Sequence, residues 1–258
     1  MPRPLRKDSL RSPDVAHFDV SHGGETYRIQ IKRSAAARRF ILRVRAATQD
    51  AVLTIPARAK LIDAKLFAER QAPWINSRLR QLPQRLHMGP GELAPLRGIP
   101  HRIDHRPAKR SVVWVQTVEE SFGSSAEPLI CVSSEACFVP RRVRDFLIRE
   151  ARRDLEAAVA RHAAHFGVRV RRITLRDTTS RWGSCTSSGT LNFSWRLIMA
   201  PPFVLDYLAA HEVAHLVHMN HSSAFWNAVG KLSKDVQTAE AWLKTHGANL
   251  HRIGPRSE

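Results

Sequence analysis

The chain has 258 residues, of which 43% are hydrophobic and 25% are charged, and its formal net charge is +18. This length and apolar content exclude a disordered chain and favour a globular protein of one or two domains. The sequence contains no run of roughly 20 apolar residues, the length that a membrane-spanning helix needs, so we expect no membrane partner. Three cysteines are too few and too odd in number for a disulfide framework, which favours a reducing compartment and predicts a cytoplasmic protein.

The amino-terminal part of the chain predicts short strands. Residues 1–13 are basic and lack the apolar run of a signal or an anchor, so we expect a disordered tail. Apolar residues then alternate or cluster at strand length in residues 27–31, 40–44 and 52–55, which predicts a small antiparallel sheet. A helical segment is predicted at residues 62–82, kinked or divided by Pro73, before a loop that reaches Pro100.

Further along the chain, strands give way to helices. Strands are predicted at residues 99–104, 112–118 and 129–132, with a turn at 123–126, and Pro140 marks the change to helix. Apolar residues recur at helical spacing from Arg141 to Gly167. Two more strands, 170–175 and 190–193, are predicted to be joined through a turn at Trp182-Gly183-Ser184. A helix of about 15 to 17 residues should follow Pro201-Pro202.

These elements predict an α+β fold in two parts. An amino-terminal antiparallel β-rich region with one helical segment is expected over residues 14–139. A mainly helical domain with a small sheet is expected over residues 140–250, followed by a tail at 251–258. We place the division between the two parts near Pro140, where the strand pattern changes to a helical one.

The last of these helices carries the sequence His211-Glu212-Val213-Ala214-His215. At 3.6 residues per turn the two histidines project from one face, so both imidazoles can bind one metal ion. Glu212 can lean over the open side of that metal as a base. A catalytic zinc usually takes three protein ligands and keeps one position for water, so the pattern predicts one zinc ion per chain and requires a third ligand.

Two residues are candidates for the third ligand. His221 lies six residues after His215, too far to stay on the same helix face, so the helix must end first, with Asn220 in a left-handed closing turn. This spacing equals that of the metzincin proteases, which carry a glycine where this chain has His218. Glu240 is the alternative, at the longer separation of thermolysin-like enzymes, and His221 is preferred.

Several short motifs resemble one known family in order and spacing. They are Thr179 to Cys185, Gly189 to Asn192, Ala200-Pro201, Asp206-Tyr207, the histidine motif, and Asn220-His221-Ser222 with Phe225-Trp226. Together they resemble the YgjP-like metallopeptidase family over roughly residues 30 to 250, weakly in the first half and densely from 175 to 245. The resemblance implies that residues 140–250 form a zincin-like domain, with His211, His215 and His221 as zinc ligands and Glu212 as the catalytic residue.

In zincins, a strand near the metal helix commonly binds an extended substrate by adding it to the sheet. By that analogy, the strand Thr190-Leu191-Asn192-Phe193 is expected to contact a protein or peptide substrate. Cys185 is expected to be a small buried residue rather than a metal ligand. Residues that are chemically able to stabilise a developing oxyanion are left without an assignment: Arg181, Arg196, Tyr207, His218 and His246.

The sequence therefore predicts a zinc-dependent, metallopeptidase-like hydrolase, in which metal-activated water attacks a peptide amide with Glu212 as general base. One alternative is a zinc-dependent hydrolase of nucleoside triphosphates or other phosphoesters, with arginine clusters such as Arg171-Arg172 holding the phosphates. A second alternative is a non-catalytic nucleic-acid-binding protein with structural zinc. Residues 201–258 are balanced in charge, so the basic excess lies outside the metal segment and can attract a polyanion such as nucleic acid or a nucleotide.

Overall fold

A computed structural model of the protein describes residues 17–45, 49–82, 85–107, 112–116 and 127–254. The predicted tail at 1–13 and the predicted turn at 123–126 lie outside these residues. The α+β class is confirmed, because helices and small sheets build both of the compact units into which the chain divides, Met1–Pro83 and Gln84–Glu258. Within the described ranges, every helix falls short of the length or the apolar character needed to cross a membrane.

The first unit packs two helices on a four-stranded sheet of order β1-β2-β4-β3. The β2 and β4 strands are parallel, whereas the β1–β2 and β3–β4 pairs are antiparallel, so the predicted antiparallel sheet is corrected to a mixed one. Alternation along a strand marks its buried face but not the direction of its neighbour. The elements are β1 (His17–His22), β2 (Glu25–Ser34), β3 (Ile41–Arg45), β4 (Asp50–Pro56), α1 (Leu61–Arg70) and α2 (Ala72–Arg80).

The single helical segment predicted in this unit is divided into α1 and α2 near Pro73, as its sequence suggested. Proline fits the first turn of α2, where its missing N–H has no helical partner to lose. Small residues such as Ala64 and Ala68 bring α1 close to the sheet, and Ile75 fills the space between α2 and the strands. The result is a separate apolar core within the unit.

The second unit contains two further sheets and four α-helices in its described part. Its first sheet has the order β5-β6-β8-β7, with β6 and β8 parallel, and its second has the order β10-β11-β9. The elements are β5 (Leu93–Leu96), β6 (Ile99–His105), β7 (Val112–Gln116), β8 (Leu129–Ser133), α3 (Val139–Phe166), β9 (Arg172–Arg176), β10 (Gly183–Cys185), β11 (Thr190–Ser194), α4 (Pro202–Ala214), α5 (Ser223–Leu232) and α6 (Val236–Leu250).

The change from strand to helix near Pro140 falls inside this second unit. Ile103 and Val132 of the first sheet share one core with Val143 and Leu147 of α3, so strands and helix pack together there. The α3 helix matches its prediction and ends at Gly167, whose φ of 63° suits the left-handed closing position. A tail was predicted from residue 251, but residues 251–254 are part of the folded unit. Ile253 is buried and its backbone pairs with that of Leu86.

The small sheet β10-β11-β9 has two chemically different faces. Leu191 and Phe193 are buried in the core, and Ile173 and Leu175 of β9 pack against the same core. The predicted turn at residues 182–184 is corrected, because Gly183–Cys185 forms an edge strand that pairs antiparallel with β11. Glycine in a three-residue strand looks like a turn in the sequence, since it contributes no side chain to an alternating pattern.

Arg196 holds three segments of the second unit together. It lies in a 3₁₀ helix, Trp195–Met199, and its guanidinium is buried. Its Nε and Nη2 donate to the Asp177 carboxylate at 2.5 and 3.0 Å. Its Nη1 donates to the carbonyl oxygens of Leu250 and Ile253 at 2.9 and 2.5 Å. The guanidinium of Arg196 therefore uses its donors in structural hydrogen bonds, and it is not available to stabilise an oxyanion.

Replacing Arg196 with methionine removes the buried guanidinium that donates to the Asp177 carboxylate and to two carbonyl groups. We expect the free energy of unfolding to fall by about 3–5 kcal/mol, the cost of breaking a buried ion pair from one side. Urea denaturation followed by circular dichroism measures this change. The matched control is Arg172→Met on the exposed part of β9, for which we expect a change within about 0.5 kcal/mol. Equal stability of the two variants would contradict the anchoring role.

Candidate metal centre

The α4 helix is buried on most of its surface. Val204, Leu208 and Val213 belong to the core, and the helix packs against α3, α5, α6 and β10. A helix that is apolar all round is one enclosed by other elements. This enclosure fixes the directions in which His211, Glu212 and His215 project.

Three histidines converge at the end of α4. His211 lies in the last turn of the helix, His215 is the residue that caps its carboxyl end, and His221 comes from the connection to α5. One ring nitrogen from each forms a set whose members all lie within 4.8 Å of one another. The Nε2 atoms of His211 and His221 are 3.3 Å apart. Zinc–nitrogen bonds of about 2.0–2.1 Å at a tetrahedral angle place two ligands about 3.3–3.4 Å apart, so this pair fits zinc.

The position of His221 follows from how α4 ends and α5 begins. The α4 helix ends at Ala214 and is shorter than predicted, and among the described non-glycine residues a positive φ occurs at Gln49 and Arg97 but not at Asn220. The predicted left-handed turn at Asn220 is therefore wrong. Ser222 caps α5 by accepting a hydrogen bond from the Phe225 backbone N–H at 3.4 Å. That cap sets the start of α5 directly after His221.

The ring of Phe225 forms an apolar floor beneath the three imidazoles. It stacks on His215 with ring centroids 4.4 Å apart, and it meets His211 and His221 edge-on at 4.9 and 4.8 Å. Phe225 is fully buried. Packing of this kind holds the rings in place and keeps water away from one side of the cluster.

Hydrogen bonds from the remaining ring nitrogens orient the two helix histidines. His215 Nδ1 lies 3.1 Å from the carbonyl oxygen of His218, to which it can donate. The Tyr207 hydroxyl donates to Glu240 Oε1 at 2.8 Å, which leaves its oxygen to accept from His211 Nδ1 at 3.4 Å. In both rings the proton is then on Nδ1, and Nε2 keeps its lone pair for a metal.

Glu240, the alternative candidate for the third metal ligand, does not lie in the histidine cluster. Its carboxylate accepts from Tyr207 and is not among the ligand atoms that converge with His211 and His215. Burial, together with the hydrogen bond to Glu240, raises the pKa of the Tyr207 hydroxyl. The tyrosine thus stays protonated and links the Glu240 carboxylate to the His211 ring.

Glu212 points from the same helix towards the edge strand β10. Its side chain is buried, and its Oε2 atom has no hydrogen-bond partner in the described structure. An ideal Cβ atom on Gly183 would lie 2.8 Å from Glu212 Cδ, so only glycine leaves room for the carboxylate here. A buried carboxylate oxygen without a partner, on the residue that follows His211 in the chain, fits a site that a cation and water complete.

The electrostatics of the cluster also suit a metal. Burial lowers the pKa of His211 to about 4, with smaller contributions from His215 and His221. Burial likewise lowers the pKa of His215. These rings are therefore neutral near pH 7, the form in which imidazole binds a metal. Burial raises the pKa of Glu212 to about 8, and the positive charge of Arg181 partly opposes that rise.

The other candidates from the sequence have different positions. Cys185 is half-buried and lies outside the set of converging ligand atoms, and burial with the nearby Glu212 charge raises its thiol pKa to about 11. His246 packs against Trp242, with ring centroids 5.1 Å apart. Arg181 is exposed and near enough to Glu212 to influence its pKa. Among the described residues, Arg181 is therefore an oxyanion candidate whose charge acts on Glu212.

The strand predicted to bind substrate lies inside its sheet. Thr190 to Phe193 belong to β11, which pairs with β10 on one side and β9 on the other. Both backbone edges are used, so a peptide cannot add to β11, and this part of the expectation is corrected. The unpaired edge near Glu212 belongs to β10 in the described structure. The sequence did not predict this strand, because Gly183 was interpreted as part of a turn. Asn192 and Phe193 do line a cavity of about 250 Å³ beside β10.

Comparison with known proteins agrees with the motif pattern. The crystal structure of the metallopeptidase zymogen of Pyrococcus abyssi abylysin matches at 21% sequence identity and a TM-score of 0.33, covering 35% of this chain and 92% of that chain. Curated proteins provide no significant match. A family model described as YgjP-like, metallopeptidase domain, matches residues 38–246. Because this match covers most of the chain, the protein belongs to the YgjP-like metallopeptidase family.

Proposed function

We propose that the protein is a zinc-dependent peptidase that hydrolyses peptide amides, with one zinc ion per chain held by His211, His215 and His221. The observation that supports this proposal is the convergence of three imidazole nitrogens at the end of the helix that also carries Glu212, a buried carboxylate with one oxygen that lacks a hydrogen bond. Three histidines leave a fourth position open, as catalytic zinc sites do.

Glu212 acts as the general base in this proposal. When bound, zinc lowers the pKa of its water to about 7 and polarises a carbonyl group. Glu212 accepts the proton of the attacking water and passes it to the nitrogen of the leaving amine. Its burial supports this role, because burial raises the pKa of the carboxyl group and so makes its carboxylate a stronger base for the proton of water.

The edge strand β10 is the proposed docking point for the substrate backbone. Ser194 N donates to Trp182 O and Thr186 N donates to Thr190 O, so residues 182, 184 and 186 use their backbone groups towards β11. The alternation of an antiparallel pair then directs the N–H and C=O groups of Gly183 and Cys185 to the free edge. An extended peptide added there passes directly by Glu212.

The two alternatives are less well supported by the same residues. Phosphoryl transfer commonly recruits further divalent ions held by carboxylates. The neighbouring acids are engaged elsewhere, Asp206 with Arg161 and His162, and Glu240 with Tyr207. A structural zinc normally has four protein ligands, whereas within the described residues the converging set has three, and Cys185 is not one of them.

The cysteines support a cytoplasmic site of action. Cys131, Cys137 and Cys185 are all free thiols. A reducing compartment preserves such thiols. We accordingly propose a cytoplasmic peptidase whose substrates are proteins or peptides.

The zinc ligands are tested by metal content. We expect about one zinc per chain in wild type, and loss of most of that zinc in His211→Ala, His215→Ala and His221→Ala, because each variant removes one of three donors. Elemental analysis of the purified proteins measures it. His165→Ala, on the exposed surface of α3, is the matched control and should keep its zinc. Well-folded wild type that takes up no zinc would exclude the proposed centre.

The role of Glu212 is tested by Glu212→Gln, which keeps the shape of the side chain and removes the base. We expect cleavage of an unfolded protein substrate to fall by a factor of about 10²–10⁴ while zinc content stays unchanged. Time courses of product formation give the rates, and Glu156→Gln on α3 serves as the control. Cleavage by Glu212→Gln at the wild-type rate would rule out general-base catalysis by this residue.

Tyr207 is expected to orient His211 through its link to Glu240. Tyr207→Phe removes the hydroxyl that joins the two, so we expect zinc affinity to weaken about 10–100-fold, the usual effect of losing such a partner. Competition with a chromophoric chelator measures the affinity. The other of the two tyrosines provides the control, Tyr27→Phe. Unchanged affinity in Tyr207→Phe would show that the tyrosine does not support the metal-binding ring.

A further inference from the structure

One face of the small sheet is polar and basic. In β9, Arg172, Thr174 and Arg176 alternate with the apolar residues that pack on the core. The register places Asn192 of β11 opposite Thr174 on one side and Ser184 of β10 on the other, so these side chains share the polar face. The three strands contain no aspartate or glutamate. The face therefore carries positive charge without an acid to balance it.

The cavity of about 250 Å³ opens beside this polar face. The polar residues that line it are Arg176, Thr178, Ser180, Arg181, Ser184 and Asn192, and the lining contains no aspartate or glutamate. The acid next to Arg176 in sequence, Asp177, is bound to the buried Arg196 and is not part of the lining.

The two arginines of the cavity keep donors free for a ligand. Arg176 Nε donates weakly to Asn192 Oδ1 at 3.3 Å. Among the residues that the structure describes, neither Arg176 nor Arg181 forms an ion pair. Guanidinium groups donate in a planar fork that matches a carboxylate or a phosphate. The lining is thus suited to an anionic group of a few atoms.

The geometry of the edge strand connects this cavity to a bound peptide. Side chains of an added strand alternate between the two faces of the sheet, and a residue directly opposite Ser184 points to the same face as Ser184. Its Cβ atom lies about 4.5–5.5 Å from that of Ser184, at the mouth of the cavity. Its two neighbours point to the other face, where Glu212 lies against Gly183.

We propose that this cavity is a specificity subsite for the carboxylate of an aspartate or glutamate side chain in the peptide substrate. The acidic residue is the one paired with Ser184, and it is held by Arg176 and Arg181 with help from the hydroxyl and amide groups. This inference rests on the proposed peptidase function, since it defines which peptides that active site selects.

The same positive face offers less to a nucleic acid. Single-stranded nucleic acids bind through aromatic side chains that stack on the bases along a basic groove. Trp182, the tryptophan in the lining, is instead stacked on His251 with ring centroids 4.6 Å apart and packs near Gly247. The cavity is small, and the free backbone groups of Gly183 and Cys185 match a peptide backbone.

The test measures peptide binding separately from cleavage. Full-length, zinc-loaded Glu212→Gln protein is titrated with fluorescent ten-residue alanine-rich peptides that are blocked at both ends, so that no terminal charge is present. Each peptide carries one glutamate or one glutamine, and the position of that residue is scanned along the chain. We expect the glutamate peptide to bind about tenfold more tightly than its glutamine partner at one position, and this preference to decrease with added salt.

Two variants assign that preference to the cavity. Arg176→Gln, added to Glu212→Gln, should reduce the glutamate preference to within about twofold. Arg172→Gln is the matched control, since Arg172 lies on the same face of the same strand but does not line the cavity, and it should keep the preference. Circular dichroism checks that all proteins are folded.

The outcomes separate the inference from the proposed function. Equal or undetectable binding of the glutamate and glutamine peptides overturns the inference, as does an equal loss of preference in Arg172→Gln. Tight binding of a single-stranded oligonucleotide that depends on Arg176, with no preference among peptides, also overturns it. A clear glutamate preference without cleavage of any peptide by zinc-loaded wild type contradicts the peptidase function but supports an acidic-peptide site.

Discussion

The arrangement of the metal centre depends on the burial of one helix. Because α4 is enclosed by α3, α5, α6 and β10, its side chains cannot rotate away from the directions that packing sets. His211 and His215 share one face because of their helical spacing, and packing holds that face towards His221 and directs Glu212 to the strand edge. A ligand set built on a rigid, enclosed helix keeps its geometry without the metal, which reduces the ordering that metal binding would otherwise require.

The same enclosure joins the metal centre to the substrate edge. Gly183 lies against Glu212 because it has no side chain, and its neighbours in β10 therefore pass next to the Glu212 carboxylate. One short strand thus has an inner face that meets Glu212 and an edge that is unpaired among the described residues. Its outer face leads to the basic cavity. The proposed base, the proposed docking edge and the proposed side-chain subsite therefore lie next to one another.

The sequence predicted the local features better than the long-range ones. Spacing alone was enough to place His211 and His215 on one helix face, since helical geometry is local. The relative direction of two strands does not follow from local spacing. Alternation of apolar residues identified β2 and β4 as strands, but it did not show that they run parallel. The role of Glu240 also required the fold, because its partner Tyr207 lies on another helix. The edge strand β10 was missed because a glycine that makes room for Glu212 looks like a turn.

We propose that a three-histidine zinc site forms at the end of α4 and leaves a ligand position free for water. X-ray absorption at the zinc edge of the zinc-loaded, full-length protein tests this site directly. We predict nitrogen and oxygen neighbours at about 2.0–2.1 Å, with the outer-shell signal of three imidazoles and no sulfur. A sulfur neighbour at about 2.3 Å, or four protein ligands that close the site, would contradict it.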